Sequence, residues 1–128
     1  MTTSPSAAGP DRPAIDFDIV ALDTPDPAGL AEFYNTLLGW QTERASDDWI
    51  TIGGGTGARL AFQLAPDHRA PTWPDNEIPQ QIHLDLKVAD LVAASAYAES
   101  IGARRLTEAR DGFVVFLDPS GHPFCLCD

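Results

Sequence analysis

The sequence is poor in cysteine, in basic residues and in long apolar runs, and each shortage narrows the possible functions. Its only two cysteines, Cys125 and Cys127, stand two apart on a predicted strand. They are poorly placed to bond to each other, which favours a reducing cytoplasmic setting. Only 8 Lys and Arg oppose 19 Asp and Glu, so nucleic acid is not an expected partner. No apolar run reaches the about 20 residues that span a bilayer, so no membrane partner is expected either.

The length and the hydrophobic content of the chain fit one globular domain. The chain has 128 residues, of which 44% are hydrophobic, enough to bury a real core. The first 14 residues are rich in small residues and proline and lack the pattern of a targeting signal, so we interpret them as a flexible N-terminal tail. The net charge of −11 suits a cationic ligand, but it equally suits a role in solubility alone.

Strand and helix signals alternate along the first half of the domain. A helix is predicted from Asp26-Pro27 to Gly39, because proline suits a first helical turn and glycine a C-terminal cap. The flanking segments have the composition of strands, and the last two of them are joined by the turn GGGTG. The predicted strands of this half cover residues 15–23, 41–45, 49–52 and 58–64.

The second half repeats the same order after a proline-rich connection. A strand over 81–88 is followed by a helix over 91–101 that Gly102 ends. Pro119 and Gly121 make the DPSG stretch a strong type I turn signal before the last strand. The remaining predicted strands cover residues 104–109, 113–117 and 123–127.

The two halves match at an offset of 62 to 64 residues, which indicates a tandem duplication. The aspartates before the two helices correspond, as do AFQL (61–64) and PFCL (123–126). Such repeats bury together faces that neither buries alone. The predicted fold class is therefore α+β with two tandem βαβββ modules in a single domain over 15–128. We assign 15–67 to module one, 68–79 to the connector and 80–128 to module two.

Four stretches together resemble the vicinal oxygen chelate superfamily, which contains glyoxalases, bleomycin-resistance proteins and extradiol dioxygenases. They are FYNTLLGW, IHLDLKVAD, IGARRL and DPSGHPFCL, and the resemblance extends over about residues 15–128. It implies a curved mixed sheet around a cleft, and it makes a homodimer the expected assembly.

Metal-using members of this superfamily place four ligands, typically His and Glu, on the first and last strands of the two modules. The repeat assigns these positions here to Ile19, Gln63, His83 and Cys125, or to Asp18 in place of Ile19 after a one-residue slip. Isoleucine binds no metal and glutamine is a weak ligand. We therefore predict no tightly held catalytic metal. If a metal is present, its expected ligands are His83 and Cys125.

The favoured function is that of a glyoxalase-like, bleomycin-resistance-like domain that binds a small organic molecule in its cleft. The alternative is a lyase, isomerase or dioxygenase that uses a divalent metal such as zinc, nickel, manganese or iron on a substrate with adjacent oxygens. A regulatory or partner-binding module is a third possibility. The residues predicted to contact the ligand are His83, Gln63, Asp85, Trp49 and Cys125.

Some of these residues can also be interpreted as purely structural. His83 could be a half-buried imidazole satisfied by Asp85 instead of a ligand contact. Cys125 could be a small buried hydrophobe instead of a ligand or nucleophile. His68 and His122 flank turns and are predicted to lie on the surface.

Overall fold

Two successive βαβββ modules make up the protein in the computed structural model, which describes residues 12–128. Residues 1–11, most of the predicted tail, lie outside that range. Module one contains β1 (Val20–Thr24), α1 (Pro27–Leu38), β2 (Gln41–Ala45), β3 (Trp49–Gly53) and β4 (Arg59–Leu64). Module two contains β5 (Leu84–Lys87), α2 (Leu91–Ser100), β6 (Arg104–Arg105), β7 (Phe113–Leu117) and β8 (Pro123–Cys127).

Each module forms its own mixed four-stranded sheet. The strand orders are β1-β4-β3-β2 and β5-β8-β7-β6. In both sheets the first and last strands of the module pair in parallel, whereas the other neighbours are antiparallel. The predicted α+β class and the tandem duplication are confirmed.

The helices begin and end where local chemistry predicts. The Asp26 carboxylate accepts a hydrogen bond from the Gly29 N–H at 3.0 Å and so caps α1. Gly39 ends α1 in the left-handed conformation, with φ of 69°, which glycine adopts without steric cost. The Asp90 carboxylate caps α2 in the same way through the Ala93 N–H. Within the described residues, neither helix has the length and apolar composition to cross a bilayer.

Three strands are each four residues shorter than predicted. Residues 15–19 lie outside the sheet, as do 81–83, and β6 stops at Arg105 instead of Ala109. An alternating pattern makes a segment suitable for a strand, but a strand also needs a neighbour to pair with. The parallel pairing of β1 with β4 starts only at Val20, opposite Leu60. Phe17, further back along the chain, remains 83% exposed.

One hydrophobic core serves both modules. The Tyr34 ring on α1 stacks on Phe62 of β4, with 5.7 Å between centroids. Phe33, its neighbour, lies 5.9 Å from Phe124 of β8. The helices thus cover one face of both sheets, and alternate strand residues such as Gln63 point to the opposite face. We call this second surface the outer face.

Candidate functional site

Three of the predicted site residues meet on the outer face of module two. Asp85 and Cys125 are directly paired across β5 and β8. Leu84 and Leu86 pack against the core, so Asp85 between them points away from it. The His83 side chain lies just ahead of β5, with its Nε2 3.2 Å from an Asp85 carboxylate oxygen. The potential ligand atoms of His83, Asp85 and Cys125 all lie within 4.8 Å of one another.

These residues line a pocket of about 400 Å³, which we call the His83 pocket. Three carboxylates, two thiols and one imidazole surround it, and among the described residues no Lys or Arg lines it. Such a lining attracts a positive charge or a donor-rich group. Its remaining lining residues are Asp111, Gly112, Phe113, Cys127 and Asp128.

The thiols of this pocket are held in their neutral form. Burial, followed by the nearby Asp85 carboxylate, raises the pKa of Cys125 to about 11. Burial and the charges of Asp85 and Asp128 also raise the pKa of Cys127. A thiol with a raised pKa is a poor nucleophile at neutral pH, so the environment of Cys125 does not favour a nucleophilic role.

The other two predicted site residues lie in module one. Trp49 and Gln63 are directly paired across β3 and β4, and the Trp49 indole N–H donates to the Thr51 hydroxyl at 2.9 Å. Neither residue lines the His83 pocket. The structure therefore groups His83, Asp85 and Cys125 in one place and Trp49 and Gln63 in another.

The strand register corrects one assigned ligand position. Gln63 of β4 is paired with Asp23 of β1, just as Cys125 of β8 is paired with Asp85 of β5. The residue two positions before Asp23 is Ala21, so Ala21 and not Ile19 is the counterpart of His83. The one-residue slip to Asp18 also fails, because Asp18 lies outside β1 and forms an ion pair with Arg59 at 2.9 Å.

The four-ligand metal set of the superfamily does not fit this chain. Its positions hold Ala21, Gln63, His83 and Cys125, and alanine offers no donor atom. Within residues 12–128, only the group of His83, Asp85 and Cys125 combines ligand types and spacing that a metal ion accepts.

The structure also shows a pocket that the sequence did not indicate. His122 is buried, contrary to its predicted surface position, and His68 is half-buried. The two rings pack against each other at a tilt of 32°, with 4.8 Å between centroids, and both line a pocket of about 740 Å³. The only local signal was that His122 directly precedes the buried strand β8.

Comparison with known proteins agrees with this architecture. A family model described as "Glyoxalase-like domain" matches residues 19–127. The chain belongs to this glyoxalase-like family. It is thereby a member of the vicinal oxygen chelate superfamily, as the sequence resemblance predicted. No curated protein matches the chain.

Solved structures with the same fold share little sequence with this glyoxalase-like domain. A glyoxalase/bleomycin resistance/dioxygenase family enzyme from Burkholderia phytofirmans has a TM-score of 0.71 at 18% identity, over 88% of this chain and 97% of that one. A glyoxalase family protein from Enterococcus faecalis gives 0.68 at 20% identity, over 88% and 97%. The trypanothione-dependent glyoxalase I of Leishmania major gives 0.63 at 17%, over 86% and 84%. These likenesses establish the fold.

Proposed function

We propose that this glyoxalase-like domain binds a small organic molecule in the His83 pocket, without a tightly held catalytic metal. The observation that carries the proposal is the convergence of His83, Asp85 and Cys125 on one sheet face. Few convergent polar groups in a concave site are typical of small-molecule pockets, and about 400 Å³ lies within their usual range of roughly 300–1,000 Å³.

The chemistry of the pocket favours a ligand with a cationic or donor-rich group. The Asp85 carboxylate accepts hydrogen bonds, and the His83 imidazole either accepts or donates. Phe113 supplies an apolar ring surface on the same side. A flat organic cation satisfies all three, because its charged end reaches Asp85 while its body packs on Phe113. Trp49 and Gln63 remain proposed contacts only for a ligand that also reaches module one.

Benzamidine is a suitable first probe, since it is a flat organic cation. We expect it to raise the melting temperature and to shift the ring signals of His83 in NMR spectra, because binding to the native state stabilises it. Asp85→Asn removes the charge while keeping the shape, and it should weaken binding about tenfold or more, as loss of a charge-assisted hydrogen bond does. Asp47→Asn, which changes an exposed carboxylate outside this pocket, is the control. Equal affinity in wild type, His83→Ala and Asp85→Asn would contradict the proposal.

A second candidate function is that of a divalent-metal-dependent enzyme, a lyase, isomerase or dioxygenase. The observation that favours it is again the spacing of the His83 nitrogen, the Asp85 oxygen and the Cys125 sulfur. Three protein ligands with a fourth position open form a usual catalytic zinc site. When bound, such an ion would polarise adjacent substrate oxygens.

Elemental analysis and a thermal melt with and without chelator distinguish the two candidates. The binding function predicts no stoichiometric metal and an unchanged melt. The enzymatic function predicts about one bound ion per chain, a chelator-sensitive melt, and the loss of both in His83→Ala, because removing one of three ligands breaks the site.

We further propose that the domain works as a homodimer in a reducing cytoplasm. Two free thiols in the described chain are consistent with that compartment. The large exposed ring of Phe17 is a surface that a second copy could cover. Light scattering of the intact chain and of Phe17→Ser tests the assembly. A monomer in both cases would overturn this part of the proposal.

A further inference from the structure

A second pocket lies beside β1, apart from the residues that line the His83 pocket. The outer-face side of β1 forms one wall, with Ala21 and Asp23. The proline-rich connector and His122 form the other walls, and the volume is about 740 Å³. This connector pocket shares no lining residue with the His83 pocket.

Hydrogen bonds hold the walls of the connector pocket in place. The Ala65 N–H donates to the Thr24 carbonyl at 2.8 Å, which ties the segment just before the connector to β1. Within the connector, the Thr72 N–H donates to the Ile78 carbonyl, and the Thr72 hydroxyl accepts a hydrogen bond from the Ile78 N–H. A pocket with such fixed walls is formed before a ligand arrives, which lowers the entropic cost of binding.

The two histidines in this pocket are fixed in one tautomer by backbone carbonyls. His122 Nε2 lies 2.6 Å from the Asp23 carbonyl oxygen, and His68 Nε2 lies 3.2 Å from the Ser120 carbonyl oxygen. A carbonyl only accepts, so both Nε2 atoms carry the hydrogen. In the neutral ring Nδ1 then keeps a lone pair and acts as an acceptor. Each of the two imidazoles that line the pocket thus retains one acceptor atom in its neutral form.

The charges around the connector pocket are of both signs. Asp23 and Asp67 line it together with Arg69. Among residues 12–128, the side chains of these three make no ion pair or hydrogen bond with another residue. The other lining residues are mostly apolar: Ala21, Leu22, Ala65, Pro66, Pro71, Pro79 and Ile82.

From this arrangement we propose that the connector pocket binds a small zwitterion with an apolar body. The carboxylates of Asp23 and Asp67 and the imidazole acceptors receive its ammonium group. Arg69 receives its carboxylate, since a guanidinium binds a carboxylate through paired donors. The alanine, proline and isoleucine surfaces pack on the apolar part. Free amino acids and short peptides have this chemistry.

The dipeptide Leu-Leu is the probe for the test, with two single-charge analogues. N-acetyl-Leu-Leu keeps only the carboxylate, and Leu-Leu amide keeps only the ammonium group. The chain has 3 His, so ring NMR signals can be assigned one by one. We expect Leu-Leu to shift the signals of His68 and His122 and not that of His83. Each analogue should bind about tenfold more weakly, because a charge-assisted hydrogen bond is lost.

Matched variants test which side chain contacts the ammonium group of the dipeptide and which contacts its carboxylate. Asp67→Asn should weaken Leu-Leu but not N-acetyl-Leu-Leu, and Arg69→Gln should weaken Leu-Leu but not Leu-Leu amide. Asp47→Asn, which changes an exposed carboxylate outside both pockets, should leave the affinities for all three probes unchanged.

Three results would overturn the inference. They are no shift of His68 and His122 at millimolar Leu-Leu, equal binding of all three probes, and a shift confined to His83. The last result would leave the proposed function of the His83 pocket intact, so the two proposals fail separately.

Discussion

Modules one and two share a fold but differ on the outer face. Their core positions agree closely: Phe62 matches Phe124 in the paired register, and both rings are fully buried. On the outer face, by contrast, Ala21, Asp23 and Gln63 of module one stand where module two has His83, Asp85 and Cys125. Core packing constrains volume and polarity. Outer-face residues escape that constraint, so binding chemistry differs where the fold does not.

The modules differ again in the turns before their last strands. In module two, the Asp118 carboxylate accepts hydrogen bonds from Tyr34 of α1, at 2.7 Å, and from the N–H groups of Ser120 and His122. This turn therefore contacts module one. The GGGTG turn of module one forms no such buried tie among the described residues. Module two is thus fastened to module one through its turn as well as through the core.

The largest expected effect tests whether the modules unfold together. Phe124→Ala should cost about 3–5 kcal/mol, because it opens a cavity in a shared core. In a Trp73→Phe background the remaining tryptophans, Trp40 and Trp49, both belong to module one. Their fluorescence should report the lost stability at the same denaturant midpoint as circular dichroism. Phe62→Ala is the matched control in module one. An unchanged tryptophan transition in Phe124→Ala would show that the modules unfold independently.

A somewhat smaller effect is expected at the turn that ties the modules. Asp118→Ala removes three hydrogen bonds and should cost about 3 kcal/mol. Asp118→Asn, which keeps the shape, should cost less. Denaturant unfolding of both variants at neutral pH measures the difference. Equal stability of Asp118→Ala and wild type would show that the tie contributes nothing.

The pH dependence at Asp118 has a defined sign. Burial raises the pKa of this carboxyl in the folded protein above 3.8, and this outweighs the opposing hydrogen bond from Tyr34. The native state then binds more protons than the unfolded state just above pH 3.8, so this group's contribution to stability falls as the pH rises through that window. The free energy of unfolding, measured across this acidic range, should therefore fall less with rising pH in Asp118→Asn than in wild type. The same pH slope in both proteins would contradict this assignment to Asp118.

One glycine in each of these two turns allows a matched comparison of alanine substitutions. Gly121 and Gly55 both have positive φ, 87° and 79°. A methyl group on Gly121 would lie 2.4 Å from the Ala70 side chain. A methyl group on Gly55 would have no atom of the described residues within 4 Å, apart from those of its chain neighbours. Gly55→Ala should cost about 1 kcal/mol for its left-handed backbone. Gly121→Ala should cost about 2–4 kcal/mol, because overpacking adds to the same strain. Similar melting temperatures for the two variants would argue against close packing at Ala70.

The smallest expected effect concerns thiol reactivity in the His83 pocket. Asp85→Asn removes a charge that raises the pKa of Cys125 and Cys127. Alkylation by iodoacetamide at pH 8, followed by mass spectrometry, should become a few-fold faster, since the thiolate is the reacting form. Burial remains the main cause of the Cys125 shift, so reactivity should stay below that of an unhindered thiol. Asp23→Asn, in module one, should leave both alkylation rates unchanged. A faster rate in the Asp23 variant would mean that the effect is not local to module two.

The sequence by itself determined the features that depend on neighbouring residues and on the repeat. The start and end of α1 follow from the local chemistry of Asp26, Pro27 and Gly39. The duplication predicted two βαβββ modules. Those signals act over a few residues, so they can be interpreted without knowing the rest of the fold.

Tertiary structure alone decided the features that depend on distant partners. Residues 15–19 alternate like a strand but lie where no neighbouring strand pairs with them. His122 is buried only because its turn folds back onto the Asp23 carbonyl, 99 residues earlier. Likewise, Asp85 meets Cys125 through the register of two strands far apart in the chain, while Trp49 and Gln63 belong to a different sheet. Local sequence preference predicts that a segment is a strand or that a residue is exposed. Pairing and packing with distant segments determine which side chains share a site.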